Sequence, residues 1–164
     1  MIRIKNVLVA TDFSEPSAAA LRYGRELARQ FEARLEVLHV ADNVYMTYVG
    51  QTYVPALPDL QREAEEALER HVEALLTEED RMALHATGTV VTAVAKAEAI
   101  VDYAQQHAID VIVMGTHGRG ALGHLFMGSV AERVVRTATC PVLTVHQPEH
   151  EFIVPDRLVA AAHA

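Results

Sequence analysis

The residues best suited to chemistry lie in one stretch, Gly115-Thr116-His117-Gly118-Arg119-Gly120-Ala121-Leu122-Gly123-His124-Leu125-Phe126-Met127-Gly128-Ser129. Five glycines between Gly115 and Gly128 let the backbone approach a ligand closely and adopt positive φ. Exposed N–H groups in such a loop suit phosphate oxygens, and a helix opening at Ser129 would add the positive end of its dipole. Ser129-Val130-Ala131-Glu132 also fits a capping box, so the Ser129 hydroxyl has two uses, the helix and the ligand. The plainer alternative is a loop that only connects two elements. Gly118-x-Gly120-x-x-Gly123 matches the dinucleotide fingerprint in letters only, because the helix waits until after Gly128 and the first strand is elsewhere. A Walker loop is excluded, since the stretch holds no lysine.

A second candidate is Ala10-Thr11-Asp12. A carboxylate at Asp12 can accept hydrogen bonds from a ribose or adenine group, or help hold a metal near phosphates. It can equally be a helix-entry residue whose charge favours the first turn. His117 and His124 stand seven apart in a loop and define no metal geometry. Cys140, the single cysteine, is followed by Pro141 and reads as a small buried residue, not a nucleophile.

Strand and helix signals alternate along the elements that must position these groups. Residues 4–10 (IKNVLVA) read as a strand. A helix then opens at Ser14-Glu15-Pro16, with Ser14 as N-cap and Pro16 in the first turn. Its apolar positions Ala20, Leu21, Gly24, Leu27, Ala28 and Phe31 follow the helical period. Residues 35–40 give a second strand, and residues 42–58 a long connector carrying Tyr45, Tyr48 and Tyr53. A second helix is expected over residues 59–78, with Leu60, Ala64, Leu68, His71, Val72 and Leu75 inward. Residues 84–94 supply the third strand and residues 97–107 the third helix, burying Ile100, Val101 and Ala104. Residues 110–115 (DVIVMG) are apolar almost throughout, as in a strand buried on both faces. A helix over residues 129–138 and a strand over 141–146 complete the pattern. Five strands alternating with four helices predict an α/β fold, a parallel open sheet with helices on both faces. Ligands of such sheets bind beyond the carboxyl ends of the strands where the order reverses, which nominates the loops after strands one and four.

At 164 residues the chain is read as one domain over residues 1–146 with a C-terminal extension over 147–164. A domain of this size buries roughly two-thirds of its unfolded surface and needs no disulfide or metal to hold it. Net charge is −8, and nine acids between Asp59 and Asp80 stand against Arg62 and Arg70. That run reads as a solvated helix face and argues against nucleic-acid binding, which needs clustered positive charge. No secretory signal is read at the start and no apolar run reaches the ~18 residues a membrane span needs, so the expectation is no membrane, with the cytoplasm as default compartment.

Gly115-x2-Gly118-x9-Gly128-Ser129 resembles the G-x2-G-x9-G-[ST] nucleotide-binding pattern of the ATP-binding universal stress proteins. VLVATDFSEPS, DVIVMGTHGRG and GSVAERVVRTATCPVLTVH are similar to that family too, so the resemblance runs over residues 4–146. It implies a Rossmann-like sheet of the adenine nucleotide alpha hydrolase type, strand order 3-2-1-4-5, with ATP as ligand and Mg²⁺ through its phosphates. The backbone at Val40 would read adenine, and Ala10, Thr11 and Asp12 would meet adenine and ribose, with Asp12 a candidate for the metal. Met114 and Gly115 would border the ribose, while His117, Gly118, Arg119, Gly128, Ser129 and Val130 would surround the phosphates. The resemblance further implies a homodimer through the last strand, from Pro141 to His146, and an unidentified protein partner. One departure is Ala95-Lys96-Ala97, where many relatives carry a G-x-P turn.

The leading reading is therefore a nucleotide-dependent regulatory module in stress response. No nucleophile, general base and leaving-group acid are arranged together, so at most slow hydrolysis is expected. An adenylating enzyme of the same fold is the alternative, but Ala10-Thr11-Asp12-Phe13-Ser14-Glu15 lacks the glycines of its S-G-G-x-D-S turn. A dimeric scaffold without nucleotide is the third reading, against which the intact glycine spacing speaks.

Overall fold

A computed structural model of the chain describes residues 1–43, 57–116 and 127–146. The elements in order are β1 (Asn6–Thr11), α1 (Glu15–Phe31), β2 (Arg34–Ala41), α2 (Leu57–Leu75), α3 (Glu78–Leu84), β3 (Thr87–Thr92), α4 (Lys96–Gln106), β4 (Val111–Gly115), α5 (Ser129–Thr137) and β5 (Val142–Val145). The five strands form one sheet in the order β3-β2-β1-β4-β5, every pair parallel. This is the α/β architecture and the strand order expected from the sequence.

Two apolar layers flank the sheet. Val7, Val9, Leu35, Val37 and Val113 pack on one face beneath Ala20, Leu21, Val72 and Leu84 from α1, α2 and α3. Leu8, Leu38, Val40 and Ile112 pack on the other beneath Ile100, Val101, Ala104 and Val134 from α4 and α5. Alternation along β1 and β2 thus sends successive side chains into different cores. β4 is buried at every residue, as its unbroken apolar run required. Each fully buried Leu, Val or Ile is worth roughly 1.5–3 kcal/mol of transfer free energy.

The structure corrects several expectations. The second helix stops at Leu75 and a separate helix starts at Glu78, with Thr77 as its N-cap. Thr77 Oγ1 accepts from the Asp80 N–H while the Asp80 carboxylate accepts from the Thr77 N–H, so the chain is re-capped instead of continued. Leu84, expected to open the third strand, therefore ends α3, and β3 begins at Thr87. Asp80 is also no solvated acid: it is wholly buried and pairs with Arg25 at 2.9 Å. Leu60 and His71 lie exposed instead of inward. Cys140 is half-buried against the α4/α5 layer, and burial pushes its thiol up, away from the thiolate form.

Candidate functional site

β1 is central, with β2 on one side and β4 on the other, so the crossovers leaving β1 and β4 diverge at their carboxyl ends. That divergence opens a crevice, the expected ligand position in an open parallel sheet. A cavity of about 410 Å³ lies there, within the range of small-ligand sites. Ala10, Thr11, Asp12, Val40, Met114, Gly115, Gly128, Ser129 and Val130 all line it. His117, Gly118 and Arg119, nominated with them, lie outside the described residues, as do His124 and almost all of the connector.

The β1 side is a tight polar turn. Asp12 Oδ1 accepts from the Ser14 N–H at 3.1 Å and from the Ser14 hydroxyl at 2.5 Å. Ser14 is the N-cap of α1, its side chain accepting from the Ser17 N–H, as the sequence indicated. Thr11 Oγ1 lies 3.1 Å from Ser17 Oγ and accepts from the Phe13 N–H at 3.1 Å. Asp12 thus serves the helix entry and also lines the cavity. Phe13 holds φ at 64°, a region bulky side chains rarely adopt. Its ring is stacked 4.0 Å from His71 and tilted 4.4 Å from His39, and those contacts fix the unusual backbone. His39 Nδ1 donates to the Thr11 carbonyl at 2.8 Å, tying the end of β1 to β2.

The β4 side is closed at its base. The Thr116 N–H donates to the Val145 carbonyl at 2.9 Å, and the Gly128 N–H donates to the Thr116 carbonyl at 2.7 Å. The two ends of the glycine-rich loop are therefore pinned to each other and to β5. Gly128 is the N-cap of α5 and makes no side-chain cap bond; its carbonyl accepts from the Glu132 N–H at 2.9 Å. The capping box expected from Ser129 and Glu132 is not formed, because Ser129 already lies inside the helix. The Gly128 N–H is committed to Thr116, which leaves the first N–H groups of α5 and the Ser129 hydroxyl as donors on this side.

The lining divides by chemistry. Leu38, Val40, Ile100 and Met114 make an apolar slot, whereas Thr11, Asp12, Ser17, Thr116 and Ser129 supply polar atoms. A flat apolar group and an oxygen-rich group joined in one ligand fit this division. Sequence reasoning missed Leu38, Ser17, Ile100, Thr116 and Lys96. Leu38 was recoverable from strand alternation with Val40, and Lys96 from its place at the start of a helix after β3. Among the described residues no group of three or more His, Cys, Asp or Glu is arranged to hold a metal ion. No described helix is long and apolar enough to cross a membrane.

The sequence profile described as the Universal stress protein family matches residues 3–146. A universal stress protein of Methanocaldococcus jannaschii is 33% identical over 154 residues, covering 90% of this chain and 85% of that protein. A Thermus aquaticus universal stress protein is 35% identical over 145 residues, covering 86% and 98%. Among solved structures, universal stress protein UspA from Lactobacillus plantarum aligns with TM-score 0.67 and 27% identity, covering 88% of this chain and 99% of that one. The Archaeoglobus fulgidus universal stress protein in complex with dAMP aligns with TM-score 0.57 and 25% identity, covering 88% and 99%.

Proposed function

The chain belongs to the universal stress protein family, and from that premise we propose that it is a cytoplasmic, ATP-binding regulatory module of stress response. The observation that carries this is the gathering of Thr11, Asp12, Val40, Met114, Gly115, Ser129 and Val130 around one cavity at the β1/β4 divergence. Adenine would occupy the apolar slot of Leu38, Val40, Ile100 and Met114, with the Val40 backbone at its edge. The ribose would lie toward Thr11 and Asp12, and the phosphates toward Ser129 and Val130 at the start of α5. Support comes from the Archaeoglobus fulgidus relative described in complex with dAMP. Mg²⁺ would neutralise phosphate charge when ATP is bound, and Asp12 is the lining residue whose carboxylate suits it.

The proposed domain is residues 1–146, with 147–164 as an extension. We place a homodimer contact on β5, an edge strand whose Val142, Leu143 and Thr144 are only half-buried within one chain. Occupancy of the cavity would reach that edge through Thr116, whose N–H is bonded to Val145 and whose hydroxyl lies 3.1 Å from His146 Nδ1. We read the site as one of regulation by occupancy, with at most slow hydrolysis. The test is to denature the purified protein, identify any nucleotide released by chromatography, and measure the dimer equilibrium with and without ATP by analytical ultracentrifugation. Released ATP or AMP and an ATP-dependent dimer support the module; a chain that carries no nucleotide and takes up none contradicts it.

A further inference from the structure

Lysine is nearly absent from this chain, which holds only Lys5 and Lys96. Lys5 is exposed just before β1, at the end of the sheet away from the cavity. Lys96 opens α4 and lines the cavity, the only lysine or arginine among its described lining residues. Its ion-pair partner is Asp42, two residues past Val40 at the end of β2, and Ile100, another lining residue, follows it one turn later in α4. Its ammonium lies 2.9 Å from Asp42 Oδ1 and 3.0 Å from Asp42 Oδ2. The turns that carry the two residues are joined next to the pair, where the Ala93 N–H donates to the Ala41 carbonyl at 3.1 Å.

The Asp42 side chain is 79% exposed and that of Lys96 is 37% exposed. An ion pair this open contributes little and is readily exchanged for another partner. Inside the slot an ammonium is worth more, because it can give three hydrogen bonds and accepts none. A ligand group with an exposed lone pair is its matching partner, and the ring nitrogens of a nucleobase are such groups.

Resting on the nucleotide reading above, we infer that Lys96 is a base-contacting residue of this chain. It leaves Asp42 to donate to an acceptor nitrogen on the nucleobase, closes the mouth of the slot and lengthens the residence of the nucleotide. Asp42 holds the ammonium at the mouth while the slot awaits its ligand.

The test compares wild type with Lys96→Met, which keeps the stem length and removes the charge. ATP and ribose 5-triphosphate, which lacks the base, are each titrated into both proteins. A direct contact to the base weakens ATP roughly tenfold in the variant, through faster dissociation, and leaves ribose 5-triphosphate within about twofold. A second measurement needs no variant: the wild-type protein is acylated with a limiting amine-reactive reagent and read by mass spectrometry. ATP should slow acylation of Lys96 and leave Lys5 unchanged. Equal weakening of both ligands overturns the base contact in favour of general charge attraction. Unchanged ATP binding in the variant, or no protection of Lys96, overturns it in favour of a surface ion pair alone. If wild type binds no ATP, the nucleotide reading fails first and this inference with it.

Discussion

A Cβ atom built on Gly115 would lie 2.9 Å from the Cβ of Pro16 and 3.0 Å from its carbonyl carbon. The glycine that ends β4 is thus required by the first turn of α1, which crosses directly over it, as well as by any ligand in the cavity. Pro16 has a rigid ring and a backbone fixed by the Ser14 cap, so neither partner can give way cheaply. Gly115→Ala should cost about 1–3 kcal/mol by overpacking. Urea denaturation with circular dichroism checks this, and an unchanged midpoint would contradict the contact.

Gly24 poses the same question inside α1. Alanine is favoured over glycine in a helix by about 1 kcal/mol. Here, however, the added Cβ would meet Val9 Cγ2 at 2.3 Å in a fully buried core. Overpacking of about 1–3 kcal/mol outweighs propensity, so Gly24→Ala should lower the melting temperature, by roughly 2–4 °C per kcal/mol at this chain length. Gly24→Ala combined with Val9→Ala should recover part of the loss. A single variant more stable than wild type would contradict the packing.

The Arg25–Asp80 pair joins α1 to the start of α3. Burial works to raise the Asp80 pKa, but the hydrogen bonds from Arg25 and from Thr77 together outweigh it and hold the carboxyl below the usual range. A carboxyl depressed on folding adds stability above its unfolded value near 4, and that stability is lost as pH falls through the folded value. Arg25→Met should cost about 3–5 kcal/mol by leaving a buried carboxylate without its cation. Its stability should also depend less steeply on pH below about 4 than that of wild type. Melting curves over acid pH test both statements.

Tyr103 answers to alkaline pH. Burial first, and then the Glu36 carboxylate that accepts its hydroxyl at 2.9 Å, push its phenol up to about 12. A group raised on folding gives stability that is complete below its unfolded value near 10 and disappears as pH rises to about 12. One tyrosine should therefore ionise late in an ultraviolet titration of the folded protein. In Tyr103→Phe that late phase should be absent, and stability at neutral pH should fall by about 1–3 kcal/mol because buried Glu36 loses a donor. A titration with no late phase would contradict the arrangement.

The sheet was legible because its signals are local and redundant. Residues 110–115 read as a strand buried on both faces, and β4 is buried throughout from Val111 to Gly115, while Ser14-Glu15-Pro16 read as a helix entry and open α1. The carboxyl-end rule then brought Asp12 and Ser129 into one crevice although 117 positions of sequence separate them. What escaped depends on competition between neighbours. The acidic run reads as one solvated helix when its charge pattern is weighed above Thr77-x-x-Asp80, a capping signature in plain view. The same signature at Ser129 failed, since the Gly128 N–H bonds the Thr116 carbonyl and moves the cap one residue earlier. Ser17 reaches the cavity only through tertiary placement, for which sequence spacing has no mark.

The central claim is that the crevice beyond β1 and β4 holds ATP with its phosphates at the start of α5. The most direct measurement is a calorimetric titration of ATP with Mg²⁺ into nucleotide-stripped wild type and into Gly128→Val, after circular dichroism has shown that both are folded. Gly128 has φ of −61°, which valine accepts, so the variant tests crowding at the phosphate end and not backbone strain. The account predicts saturable binding in the micromolar range for wild type and its loss in the variant. Wild type that is folded and takes up no ATP, or a variant that binds as well as wild type, would contradict it.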